Sequence, residues 1–193
     1  VISSAKITRE SDVDRLVAIA AGNRLAFEEL YVAYHRRLAR FLFRVTPRYE
    51  MVEEIINDTF MTVWQGAKDF RNASRVSTWI FGIAYHTALK SLRRQQHHTA
   101  ALSLDDHPEP AIDPGAELEV QDWLAHGLNR LPVDQRLTLE LAYHMGYSLE
   151  EIAAITDTPV GTVKARMHHA RRKLRLHLPA LDGTAYEPTA RCE

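Results

Sequence analysis

The chain has 193 residues, 46% apolar and 25% charged, enough apolar side chain to build a core and too much for a disordered polymer. No apolar run approaches the ~20 residues that cross a bilayer, residues Val1 to Glu10 lack the apolar core of a signal peptide, and the single cysteine, Cys192, can close no internal disulfide. The formal net charge of −1 excludes a uniformly basic surface but not local basic faces, and a cytoplasmic protein of one or two small domains is expected.

Apolar spacing is helical almost throughout, and no convincing period-two strand is present. Ser11 opens a first helix, with Gly22 where a C-terminal glycine belongs. The second helix places Phe27, Leu30, Tyr31, Tyr34, Leu38, Phe41 and Val45 on one face and Arg36, Arg37, Arg40 and Arg44 on the other, and ends at Pro47. A third, from about Glu50 to Gln65, buries Val52, Ile55, Ile56, Phe60 and Val63 and exposes Glu50, Glu53, Glu54 and Asp58. A fourth, from about Ser77 to Gln95, is apolar over most of its circumference, so residues 1–96 read as a four-helix unit. Residues 97–116 hold Pro108, Pro110, Pro114 and Gly115 among acids, the composition of a flexible linker. Helical spacing resumes over 117–178, broken at Pro132 and Gly146, and residues 179–193 read as a loose tail. The expected fold is all-α, two small helical domains joined by a linker.

Charge follows the same division. Residues 70–104 contain Arg71, Arg75, Lys90, Arg93 and Arg94 and no acid; residues 105–122 contain seven acids and no Lys or Arg. Residues 158–181 are again acid-free, with Lys164, Arg166, Arg171, Arg172, Lys173 and Arg175. Two basic units about an acidic connector fit two contacts with a polyanion.

In the second unit, Ser148-Leu-Glu-Glu151 is a capping box, and Thr158-Pro159 supplies a cap and a first-turn proline. Helix, turn of about three residues and helix form a helix-turn-helix pattern. The last helix turns Val160, Val163, Met167, Leu174 and Leu178 inward and presents Thr162, Ala165, His168, His169 and Arg172, with Lys164, Arg166, Arg171 and Arg175 on its flanks. Small residues and donors near a helix start can meet base edges, and arginines can hold phosphates. An ordinary helical hairpin with a basic surface has the same pattern.

In the first unit, Trp79, Gly82, His86, Lys90 and Arg93 lie within roughly 80° on the fourth helix. With Arg71 and Arg75 they offer an aromatic, an imidazole and cations to unstacked bases and phosphates. The alternative is a Trp79 packed against the second helix beside solvated cations.

Together the two halves resemble the extracytoplasmic-function (ECF) sigma factors, initiation subunits of bacterial RNA polymerase. Ala26-Phe-Glu-Glu-Leu-Tyr31 resembles the opening string of region two, and Val52-Glu-Glu-Ile-Ile-Asn-Asp-Thr-Phe60 with Val63-Trp64 its core-polymerase-binding helix. Phe70-Arg-Asn, Ser77-Thr-Trp-Ile80, Ile83-Ala84, Thr87-Ala-Leu89 and Leu92-Arg-Arg94 resemble the segment that opens and reads the minus-10 element. Leu131-Pro132, Asp134-Gln-Arg136, Glu150-Glu-Ile-Ala153 and Pro159-Val-Gly-Thr-Val-Lys-Ala-Arg166 resemble region four, which binds the minus-35 element. The resemblance implies that Glu53, Glu54, Asp58 and Trp64 meet core RNA polymerase. It implies that Arg71, Arg75, Trp79, His86, Lys90 and Arg93 meet the single-stranded minus-10 element. It further implies that Thr162, Lys164, Ala165, Arg166, His168, His169, Arg171 and Arg172 meet the duplex minus-35 element. An anti-sigma partner, often membrane-anchored, is implied as well. The chain departs from the pattern at His86, where many members have asparagine, at Gly82, where arginine is common, and at Ala142, His168 and His169.

Two rivals remain. Ten histidines invite a metal site, with His97, His98 and His107 as ligands, but no HExxH, nucleophile constellation or glycine-rich phosphate loop is present. No catalytic residue, metal, cofactor or small-molecule substrate is therefore expected. A stand-alone helix-turn-helix regulator would explain the second half and would bind DNA tightly without polymerase.

Overall fold

The structure, a computed structural model, describes residues 12–46, 48–102, 127–128 and 130–177. Ser11, Pro47, residues 103–126 with His107, and the tail with Cys192 lie outside the described residues.

Helix α1 covers residues 12–20 and stops at Gly22, whose φ of +86° is a left-handed conformation that costs glycine little. The turn closes with the Gly22 N–H donating to the Ile19 carbonyl at 2.8 Å and the Asn23 N–H to the Ala18 carbonyl at 3.0 Å. Asn23 then caps α2 (Arg24–Phe43), its side chain accepting from the Ala26 N–H at 3.1 Å. Helix α2 buries Leu30, Tyr34, Leu38 and Phe41 at steps of three and four, as its spacing predicts. Across the hairpin, α3 (Tyr49–Gly66) buries Val52, Ile55, Ile56, Phe60 and Val63 and runs into a 3-10 turn over Ala67–Asp69.

Helix α4 (Val76–Leu102) is the hub of the molecule. Ile80, Phe81, Ala84, Tyr85 and Ala88 are all buried, because α3 packs on one side while α5 (Val133–Tyr143) and α6 (Leu149–Thr156) pack on another. That double packing is why its apolar residues cover most of the circumference. It also runs seven residues past the end expected at Gln95, into the segment read as linker. Residues 96–102 contain no Gly or Pro, and Gln, Ala and Leu propagate a helix well, so backbone propensity carries it on.

In the second unit, α5 begins directly after Pro132 and is buried nearly all round: Arg136, Leu137, Thr138, Leu139, Glu140 and Leu141 are all inside. They are covered on all sides because α5 lies between α7 (Val160–His177) and α4. The expected capping box opens α6: the Glu151 N–H donates to Ser148 Oγ at 3.2 Å, and the Ser148 N–H donates to Glu151 Oε2 at 3.0 Å. Asp157 in the left-handed region, Thr158 and Pro159 make the three-residue turn. The Thr158 and Thr156 hydroxyls are hydrogen-bonded at 2.8 Å, and the Pro159 carbonyl accepts from Thr162 and Val163 to start α7. Among the described residues the fold is all-helical, and the buried side chains of both units form one continuous cluster.

Candidate nucleic-acid and polymerase interfaces

On α7, Val163, Met167 and Ala170 are buried against α5 and α6, with Leu174 partly covered. The remaining surface is then dictated by helical geometry. Thr162, Lys164, Ala165, His168, His169, Arg171 and Arg172 are all exposed, and the two imidazoles meet edge to face at 5.7 Å. Arg166 differs from the rest of the expected set. Its Nε lies 3.4 Å from Asp134 Oδ2 with both side chains about three-quarters covered, so it braces α7 to α5. The Arg171 Nε donates to the Met167 carbonyl at 3.2 Å while its residue stays exposed.

On α4 the residues of the expected stripe differ in exposure and partners. His86, Lys90 and Arg93 are exposed along one line, with His86 edge-on to Tyr85 at 5.2 Å, and Arg71 is exposed in the preceding loop. Trp79 is half-buried, its ring 5.1 Å from Phe70 and 3.5 Å from the position a Cβ would take on Gly66. The edge of the indole therefore packs against the end of α3. Arg75 reaches across to the second unit, donating from Nη1 to Glu151 Oε1 at 3.1 Å.

On α3, Glu54 and Asp58 are exposed, but Glu53 is only partly so, because the His35 Nε2 of α2 stands 3.3 Å from its Oε2. Trp64 packs edge-on to Phe27 at 5.2 Å. Beside it opens a groove of about 720 Å³ lined by Arg24, Phe27, Glu28, Tyr31, Asn57, Phe60, Met61 and Trp64. The sequence pattern assigned Phe27, Tyr31 and Phe60 to the core face. In the structure Phe60 is buried, while Phe27 and Tyr31 are part-exposed between α2 and α3, a gap that spacing along one helix does not show. Burial raises the Tyr31 phenol above its ordinary pKa, with Glu53 adding to the effect, so it stays a neutral hydrogen-bonding group at that groove.

Residues 30–98 match Sigma-70 region 2 and residues 121–174 match Sigma-70, region 4. The ECF RNA polymerase sigma factor SigM of Mycobacterium tuberculosis H37Rv is 35% identical over 165 residues, covering 85% of this chain and 83% of its own. The chain belongs to the ECF RNA polymerase sigma factors.

The ECF RNA polymerase sigma-E factor of Escherichia coli K12 is 28% identical over 184 residues, covering 89% of this chain and 94% of its own. Two solved structures share the fold. CnrH, in complex with the cytosolic domain of CnrY, aligns with a TM-score of 0.64 at 24% identity, over 89% of this chain and 99% of its own. RpoE of Bartonella quintana, in complex with the anti-sigma factor NepR, aligns at 0.61 with 26% identity, over 81% and 98%. As an alternative sigma factor the chain binds core RNA polymerase and directs it to promoters, and it is not an enzyme. No described helix of this sigma factor is long and apolar enough to cross a membrane.

Proposed function

We propose a division of labour for this sigma factor's surfaces, with residues 1–96 as region two, 97–116 as linker, 117–178 as region four and 179–193 as tail. The exposed face of α7, with Thr162, Lys164, Ala165, His168, His169, Arg171 and Arg172, reads the duplex minus-35 element, and Arg166 holds that helix in place from behind. The line of His86, Lys90 and Arg93, with Arg71, Arg75 and the part-exposed Trp79, takes the single-stranded minus-10 element. Glu53, Glu54 and Asp58, together with the groove beside Trp64, dock core polymerase. The observation that carries this reading is the sorting of α7. Val163 and Met167 of its apolar stripe are buried and Val160 and Leu174 partly covered, while seven of the eight residues expected to meet DNA are exposed.

The same groove suits an anti-sigma partner, since covering it would deny polymerase its dock. The solved relatives held by CnrY and by NepR support that regulation. Core polymerase and promoter DNA place the protein in the cytoplasm. A reconstituted assay tests the reading: purified protein with sigma-free bacterial core polymerase on genomic DNA fragments gives discrete new start sites. Asp58→Lys, exposed and away from the core, abolishes those starts by weakening core binding. Nanomolar duplex binding by the chain alone, without initiation, would favour a conventional helix-turn-helix regulator instead.

A further inference from the structure

Among the cations on the outer face of α7 stand two side chains of the one type that ordinarily changes charge between about pH 5 and 8. His168 and His169 are exposed, and their rings meet at 5.7 Å with an interplanar angle of 74°. At helical steps of three and four, Lys164, Arg171 and Arg172 neighbour His168, and Arg166, Arg172 and Lys173 neighbour His169. Helix α7 itself carries no carboxylate. Of the elements packed on it, α5 brings Asp134, which stands 3.4 Å from Arg166, and the buried Arg136 and Glu140, the latter facing His144. Helix α6 brings Glu150 and Glu151 in its first turn, at the end remote from α7, with Glu151 held by Ser148 and Arg75. Asp157 lies in the turn between the two helices. Among the described residues, no carboxylate is ion-paired with either ring.

A cluster of fixed cations disfavours further positive charge on the rings, and a phosphate backbone laid against the same face reverses that preference. Binding a duplex there draws protons onto the imidazoles, and by reciprocity those protons tighten the binding. The sign follows directly. The complex holds more protons than the free chain, so affinity rises as pH falls and declines as pH rises through the imidazole range. Each unit by which the phosphates raise one imidazole's pKa contributes about tenfold in affinity. Protonation also turns a ring with one donor and one acceptor into a ring with two donors, the form that suits phosphate oxygens. We propose that His168 and His169 make minus-35 recognition by this sigma factor proton-linked, with promoters held more tightly as pH falls below about 7. The proposal rests on the assignment of the outer face of α7 to duplex DNA.

The test uses holoenzyme reconstituted from the full chain and core polymerase, on a promoter fragment from one of its own start sites. Fluorescence anisotropy follows binding from about pH 5.5 to about pH 8 across a salt series. The parent is compared with His168→Gln/His169→Gln, which keeps hydrogen-bonding groups without a titrating charge, and with His168→Lys/His169→Lys, which is charged throughout. Both rings are exposed, so neither pair of substitutions disturbs the core, and the Glu140–His144 pair titrates alike in all three proteins. Dividing by the glutamine variant therefore cancels every other pH effect, including those of the polymerase. The expected ratio of parent to glutamine-variant affinity rises about tenfold or more as pH falls across that range. Over the same range the parent's salt slope steepens by about 0.9 for each added phosphate contact, while the ratio of lysine to glutamine variant stays flat. Parallel pH profiles of parent and glutamine variant overturn the proposal, as does a lysine variant that tracks the parent. If Lys164→Ala still weakens binding in that case, the α7 face remains the duplex contact and only the proton linkage is lost. Binding unchanged by Lys164→Ala and by both histidine pairs at every pH counts against the face itself, and the proposal falls with it.

Discussion

Glu140 sits at the centre of α5 with 1% of its surface exposed, and burial raises its pKa to about 7. Arg44 at the end of α2 and Arg136 on its own helix oppose that rise, and His144 Nδ1 stands 2.7 Å from its Oε2. Burial, reinforced by Arg44, lowers the pKa of His144, so this pair holds one proton between two groups that both resist charge. The folded carboxyl binds its proton more tightly than the unfolded one. Its contribution to stability is therefore full below about pH 4.5 and is lost as pH rises through about 7. His144 works in the opposite sense, favouring the fold as pH rises. Glu140→Gln removes the first contribution, so its melting temperature should fall less than the parent's between pH 5 and pH 8. Thermal denaturation at stepped pH measures this, and parallel profiles would refute it. Two cations on α7 separate in the same residue-by-residue manner. Lys164→Ala should weaken duplex binding and reduce its salt slope by about 1, the signature of one lost phosphate contact. Arg166→Ala should instead cost about 1 kcal/mol of stability, because its partner is Asp134. Fluorescence anisotropy across a salt series and urea unfolding distinguish the two. Lysine and arginine two positions apart look alike in the sequence; only the partner on α5 tells them apart.

At the scale of elements, α6 has eight residues, short of the ~12–15 at which an isolated helix becomes even marginal. It exists through its capping box at one end and the burial of Ile152 and Ile155 along its length. Ser148→Ala should therefore cost about 1 kcal/mol, and hydrogen exchange should show the loss in α6 and α7 before α2 and α3. Equal loss of protection throughout would mean that the units unfold as one. The box was legible because both of its arms lie within four residues. The length of α4 was less so, because the break was placed by proline and glycine composition while the helix continued through residues 96–102, which contain neither. Helix α5 was legible only on one side. Thr138 and Glu140 carry no apolar signal, and their burial follows from α4 and α7 arriving from elsewhere in the chain.

At the scale of the molecule, the two units pack on each other through α4 and α6. The polar rim of that contact, Arg75 with Glu151, is an exposed pair that contributes at most about 1 kcal/mol. The apolar interlock of Phe81, Gly82, Tyr147 and Ile155 therefore carries most of its strength.

The sequence by itself determined the family, the all-helical class, the cap signals and the face of α7 that turns outward. Each of these depends on residues within one or two helical turns of one another, where spacing and side-chain chemistry act directly. The tertiary structure decided which cation is a brace, that Trp79 packs beside Phe70 and Gly66, that an aromatic groove opens between α2 and α3, and that Gly82 is a contact point. Those depend on residues far apart in the chain being brought to within a few ångströms, and no local period records which distant neighbour will arrive.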